Sequence, residues 1–215
     1  MKSYFWPKPS CDYASTLKEV KCLEAEGRAI AEAHMPWNDT VKAQACTFAK
    51  RVFEWGHVPQ KNVTAEEIER VLNAALSGNI ADAPMNSGWT KVAALATAHL
   101  EAENRSQAIW DSRVSWSLVR RIDDLLARNR FSEIPPWLRY IGKVPGRGGT
   151  RWSNSLKLNW PGAYRRWDSQ IAATNLIREL RDELNRRGII APGPYGEKAP
   201  WTVRSVEMVL FMDGY

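Results

Sequence analysis

Residues 87–118 read SGWTKVAALATAHLEAENRSQAIWDSRVSWSL. A glycine-containing turn at Ser87-Gly88 runs into a helix opened by Thr90-Lys91-Val92-Ala93 and expected over 90–101. A polar connection follows, and Ala108-Ile109-Trp110 then leads into Asp111, at the start of a second helix expected over 112–127. One lysine and one carboxylate, each at the mouth of its own helix, lie 111 − 91 = 20 positions apart. In the first turn of a helix the positive end of the macrodipole disfavours an ammonium, so a lysine there is more readily a neutral nucleophile. An aspartate at a helix N-cap is stabilised as a carboxylate by the same dipole and by backbone N–H groups. A neutral amine beside a fixed carboxylate suits attack on a carbon that develops cationic character, such as a sugar anomeric centre. A solvent-facing lysine and a routine capping aspartate have the same spacing, so the pattern alone leaves both readings open.

The segments on either side of this pair are also helical. Residues 12–34 carry Leu17, Val20, Leu23 and Ile30 at helical spacing before Pro36 breaks the pattern. Asn38-Asp39-Thr40 caps a second helix that stops at Gly56, and Thr64 with Glu67 forms a capping box for a third that Gly78 ends. The stretch 128–160 is irregular, with Pro135-Pro136 forbidding a long helix. A long helix is expected from Gly162 to Arg187, and a last one from Thr202, after the Pro- and Gly-rich 192–200. Strand signals are scarce and no internal repeat is visible. The expectation is one all-α domain over 1–215, with seven or eight helices around a central cleft, arranged as one or two helical lobes, and the chain ends packed together.

A chain of 215 residues with 44% hydrophobic and 25% charged residues can bury a substantial core. Its net charge of +6 and pI of 9.3 favour a polyanionic partner. The three cysteines, Cys11, Cys22 and Cys46, are odd in number and widely spaced, which argues against a disulfide framework or a cysteine metal site. His34, His57 and His99 are scattered, with His57 read as a turn residue, so no metal is expected. MKSYFWPKPS has no apolar h-region and no run of about 18 apolar residues occurs, so the expected location is cytoplasmic or nuclear, off the membrane.

The stretch 87–118 resembles the catalytic core of the helix-hairpin-helix DNA glycosylase superfamily, and the 8-oxoguanine DNA glycosylases in particular. In that family a Gly-containing hairpin runs into a Lys-Val-Ala-like helix start, and an apolar-led Asp-x-x-Val opens the next helix. Here these are Gly88, Lys91-Val92-Ala93 and Ile109-Trp110-Asp111-Ser112-Arg113-Val114. The resemblance implies Lys91 as the amine nucleophile and Asp111 as the catalytic carboxylate. The segment from Trp201 to Asp213 is similar to the family's final base-pocket helix, which makes Phe211 the residue that stacks on an extruded base. Glu207, one turn earlier, then faces the base's Watson–Crick edge, where a carboxylate accepts the N1–H and N2–H of a guanine-type base. The hairpin here is Asn86-Ser87-Gly88-Trp89, where the family has Gly-x-Gly, and Arg113 stands where it often has histidine.

The function implied is a DNA glycosylase with AP lyase activity that flips out a modified purine, 8-oxoguanine first among them. Its partner is double-stranded DNA, it acts as a monomer, and it needs no cofactor beyond a monovalent cation at the hairpin. Gly88, Arg113 and the loop residues Lys143, Arg147 and Arg151 are the candidate DNA contacts, the last three because KVPGRGGTRW combines positive charge with glycine. That loop lacks the phosphate-loop pattern of nucleotide-binding proteins, and no nucleophile elbow is present. The alternatives are a glycosylase for another modified base, a DNA-binding protein that keeps the fold without the chemistry, and an all-α interaction protein with incidental charge.

Overall fold

The computed structural model describes residues 12–58, 60–146, 156–192 and 198–214, and their regular secondary structure is almost entirely helical. The helices are α1 (Tyr13–Ala31), α2 (Asp39–Trp55), α3 (Ala65–Ser77), α4 (Ser87–Thr97), α5 (Ser112–Arg128), α6 (Trp167–Arg186) and α7 (Val203–Asp213). The cap signals in the sequence do what their chemistry requires. The Asn38 side chain accepts from Val41 N at 2.9 Å, and Thr64 and Glu67 exchange side chain-to-backbone bonds at the head of α3. Gly78 ends α3 at φ 75°, a conformation that costs glycine little. The all-α expectation is met. No helix among the described residues is long and apolar enough to cross a membrane.

Helix α4 is the axis of the fold, buried at every position from Gly88 to Thr97. Helices α1, α2 and α3 all pack on it, while α5 and α6 pack on α7. Fully burying a valine or leucine is worth about 1.5–3 kcal/mol, so Val92 and Leu95, both at 0% exposure, anchor α4 strongly. Close approach of α1 is set by Gly27, where an added Cβ would lie 2.7 Å from the Ala96 Cα. The first and last helices do meet: Arg204 of α7 reaches Glu24 of α1 at 3.4 Å.

Three boundaries differ from expectation. Helix α4 begins at Ser87, three residues early, because Asn86 caps it, and it finishes as a 3-10 turn over Ala98–Leu100. The long helix begins at Trp167 instead of Gly162. Residues 161–163 pair with Lys143, which donates to the Pro161 carbonyl and accepts from Ala163 N, so this backbone is satisfied without a helix. Within the Pro- and Gly-rich 192–200 stretch, β1 (Ala191–Pro192) and β2 (Lys198–Ala199) form a small antiparallel pair.

Candidate active site

The Asn86 cap fixes where Lys91 stands. Its Oδ1 accepts from Gly88 N at 2.8 Å and Trp89 N at 3.1 Å, so Lys91 lies in the second turn of α4, beyond the helix mouth. The expectation of a lysine in the first turn is therefore corrected, although its amine reaches back to the start of α4 as well as across to that of α5. The Lys91 methylenes run past Gly56 at the end of α2, where an added Cβ would come within 2.6 Å of Cδ. The residue is 2% exposed. Its Nζ donates to the Ser87 carbonyl at 3.2 Å and to Asp111 Oδ2 at 3.3 Å.

Asp111 is the N-cap of α5, as its sequence context implies. Oδ1 accepts from Arg113 N at 3.0 Å and Val114 N at 3.2 Å, leaving Oδ2 to face the lysine. One oxygen thus holds the helix and the other holds the amine.

The extended segment before Asp111 is held by side chains along its length. Gln107 N donates to Thr97 Oγ1, Ala108 N to Thr174 Oγ1, Ile109 N to Glu207 Oε2 and Trp110 N to Thr90 Oγ1. On the acceptor side, Arg178 donates to the Ser106 carbonyl and Gln170 to that of Ala108. Four consecutive buried amides and two carbonyls are therefore satisfied by residues from α4, α6 and α7. Since an unmade buried hydrogen bond costs about 1–3 kcal/mol, the set holds the backbone leading to Asp111 in one register.

Glu207 is among these fasteners. It is 4% exposed, and its Oε2 accepts from both Ile109 N and Arg204 Nη1 at 2.7 Å. Burial pushes its carboxyl above the ordinary carboxylate range, against the opposing pull of Arg204 and the Ile109 N–H. It lines the same cavity as Lys91, Asp111 and Phe211, together with Val20, Trp55, Ile109, Arg204 and Met208. The four residues singled out for chemistry and base recognition are thus brought to one place. Glu207 differs from the expected reader of a base edge in one respect, since one of its oxygens already serves Ile109 and Arg204.

This cavity holds only about 20 Å³, room for one water and not for a purine. Arg113 does not line it, although its guanidinium lies 4.9 Å from the centroid of the Phe211 ring. A far larger groove of about 800 Å³ lies between α1 and α2, lined by Glu26, Asp39, Gln44 and Arg51, and shares no residue with the lysine site. Among the described residues, the small cavity is the one place where a lysine amine and a carboxylate face each other out of water.

The DNA-contact candidates fare differently. Gly88 is buried inside α4, its amide is taken by Asn86, and an added Cβ would fall 2.4 Å from Phe53 Cε1. Its glycine is required by packing against Phe53, which in turn meets Trp89 edge-on at 4.9 Å, so its backbone is not offered to a phosphate. At the same turn the Ser87 carbonyl, an oxygen that a monovalent cation would use, already accepts from Lys91 and Thr90. Lys143 is partly exposed, and Arg147 and Arg151 lie outside the described residues. No group of three or more metal-ligating side chains occurs among the described residues.

Sequence reasoning missed Gly56, Arg204 and the threonines. Only Arg204 carries a local signal, standing three residues before Glu207 on the same helix face. Comparison with family models, with curated proteins and with solved structures finds no match to this chain.

Proposed function

We propose that this chain is a helix-hairpin-helix-type DNA glycosylase with lyase activity, which excises a modified purine of the 8-oxoguanine kind from duplex DNA. The observation that carries this reading is the contact of Lys91 Nζ with Asp111 Oδ2 at 3.3 Å, in a buried cavity that also presents Phe211. The target base is extruded from the stack and enters between Phe211 and the lysine. Lys91 first passes a proton to Asp111 Oδ2. Its free amine then attacks C1′, the N-glycosidic bond breaks, and the base departs with the bonding pair and takes up a proton. The departing base draws that proton from Asp111, and the carboxylate charge so restored stabilises the cationic sugar as it develops. The covalent adduct opens to a Schiff base, and loss of a 2′ proton expels the 3′ phosphate.

For a base to enter, the small cavity beside Phe211 must widen, and the Arg113 guanidinium, 4.9 Å from the Phe211 centroid, is close enough to take part. Its guanidinium can pair with a DNA phosphate and so hold the backbone beside the cavity. The test is borohydride trapping on duplexes that each carry one modified base. Wild type forms a covalent protein–DNA adduct with 8-oxoguanine DNA, and Lys91→Gln forms none. An equal adduct from Lys91→Gln, or none from wild type on any modified base, sinks the lysine mechanism.

The closed cavity favours a second reading, a DNA-binding protein that keeps this fold without base release. It predicts salt-dependent duplex binding that Lys91→Gln and Asp111→Asn leave unchanged, with no free base in the supernatant.

A further inference from the structure

We propose that the face built by residues 137–143 and 162–166 is a separate nucleic-acid contact, which takes unpaired nucleotides in preference to duplex. The two strips lie side by side, joined by the Lys143–Gly162 bridge. On them, guanidinium planes alternate with aromatic rings. The Arg139 guanidinium sits 4.7 Å from the Tyr140 centroid and that of Arg166 5.9 Å from it, while Arg165 lies 5.3 Å from Tyr164. Trp137, at 72%, is the most exposed large apolar side chain among the described residues. A tryptophan so exposed contributes little to folding, so its surface is available to a ligand.

The charge on this face is one-sided. The described residues between 137 and 168 hold Arg139, Lys143, Lys157, Arg165 and Arg166 against a single carboxylate, Asp168. Asp168 pairs with Arg166 at 2.7 Å, and Lys157 is taken by Asp124 of α5. Arg139, Lys143 and Arg165 remain to meet a polyanion.

An acidic protein segment would satisfy the cations but has no use for exposed ring faces. Duplex DNA would engage the cations through phosphates, yet its bases are stacked on one another and offer no face. Unpaired nucleotides use both features, since bases stack on aromatic rings and on guanidinium planes while phosphates pair with the arginines. The face is fixed to the head of α5, where Ser115 Oγ donates to the Gly142 carbonyl and accepts from Val144 N. It does not depend on any chemistry at Lys91.

Fluorescence anisotropy with a labelled oligothymidylate, over a range of salt, tests the assignment. Trp137→Ala weakens binding by about tenfold and leaves the salt slope unchanged, because it removes stacking without removing charge. The double variant Arg139→Ala/Arg165→Asn weakens binding and flattens the slope by about one unit. Asparagine is chosen at 165 because that residue sits at φ 60°. Lys91→Gln binds the oligonucleotide as wild type does, whatever it does to adduct formation. The assignment is overturned if Trp137→Ala binds like wild type with an unchanged melting curve. Equal loss of duplex binding in that variant, or equal competition by polyglutamate, overturns it too.

Discussion

Two buried carboxylates on α5, Asp111 at 8% exposure and Asp123 at 2%, have been put to opposite uses. Asp123 is spent entirely on structure. Its Oδ1 accepts from Leu158 N and Trp160 Nε1 and its Oδ2 from Lys157 N, all at 2.8–2.9 Å, so it ties the irregular segment to the helix. Asp111 commits one oxygen to the helix amides and turns the other toward a buried amine and a cavity. Burial alone does not separate a fastener from a reactive group. What separates them is whether the second oxygen meets a backbone N–H, which cannot move, or a side chain that can exchange a proton.

The comparison breaks most sharply under isosteric substitution. Asp111→Asn keeps a carbonyl oxygen for the cap, since asparagine caps about as well as aspartate, but loses the proton acceptor and the charge. The excision rate is expected to fall by about 10²–10⁴, the usual span for a positioned acid–base group, with a small change in melting temperature. Asp123→Asn reverses the pattern. Its new NH₂ faces an N–H donor, costing about 1–3 kcal/mol and lowering the melting temperature by several degrees, while the rate per folded molecule holds. A rate loss at 123 equal to that at 111 would erase the distinction.

Gly56→Ala acts on the lysine from behind. The added methyl meets Lys91 Cδ and the Val52 carbonyl, so Nζ is pushed off its position beside Asp111. Single-turnover excision is expected to slow by about tenfold, with about 1–3 kcal/mol lost from overpacking, read by urea unfolding. An unchanged rate would show that the amine tolerates displacement.

The smallest effect concerns a third carboxylate touching α5. Asp213, at the end of α7, meets Ser117, Arg120 and Arg121. Burial works against its charge, but the bonds from Arg121 and Ser117 outweigh it and hold its carboxyl below the ordinary 3.8. A folded value below the unfolded one means the stabilisation is complete above about pH 4. It disappears as pH falls through the lowered value. Asp213→Asn should lower stability by about 0.5–1 kcal/mol at neutral pH, solvent screening included, and by progressively less as pH falls through the lowered value. A constant difference across that range would assign its role to shape.

The local part of this design was legible in the sequence. Asn38, Thr64 with Glu67, Gly78, Asp111 and Thr202 mark their helix ends because caps depend on three or four adjacent residues. The convergence of Lys91, Asp111, Glu207 and Phe211 on one cavity was also expected, though through resemblance and not through pattern. The start of α4 was misplaced because Ser87-Gly88 reads as a turn, whereas the Asn86 side chain makes it helix. Gly88 read as a phosphate cradle for the same reason, and nothing near it announces the Phe53 ring. The partners of residues 106–110 stood no chance of being seen. Thr174 and Glu207 lie 66 and 98 positions from the amides they accept, and such pairings exist only once the chain is folded.

Those distant pairings govern where the chain can change in length. Twenty positions separate Lys91 from Asp111, but only some of them set the geometry. Residues 102–105 are exposed and can absorb an inserted residue as a bulge. Between 107 and 110 each amide has its own side-chain acceptor on α4, α6 or α7, so one extra residue would shift every bond by a place and turn Asp111 away from the amine. Length variation among any descendants of this sequence is therefore confined to the first part of the connection.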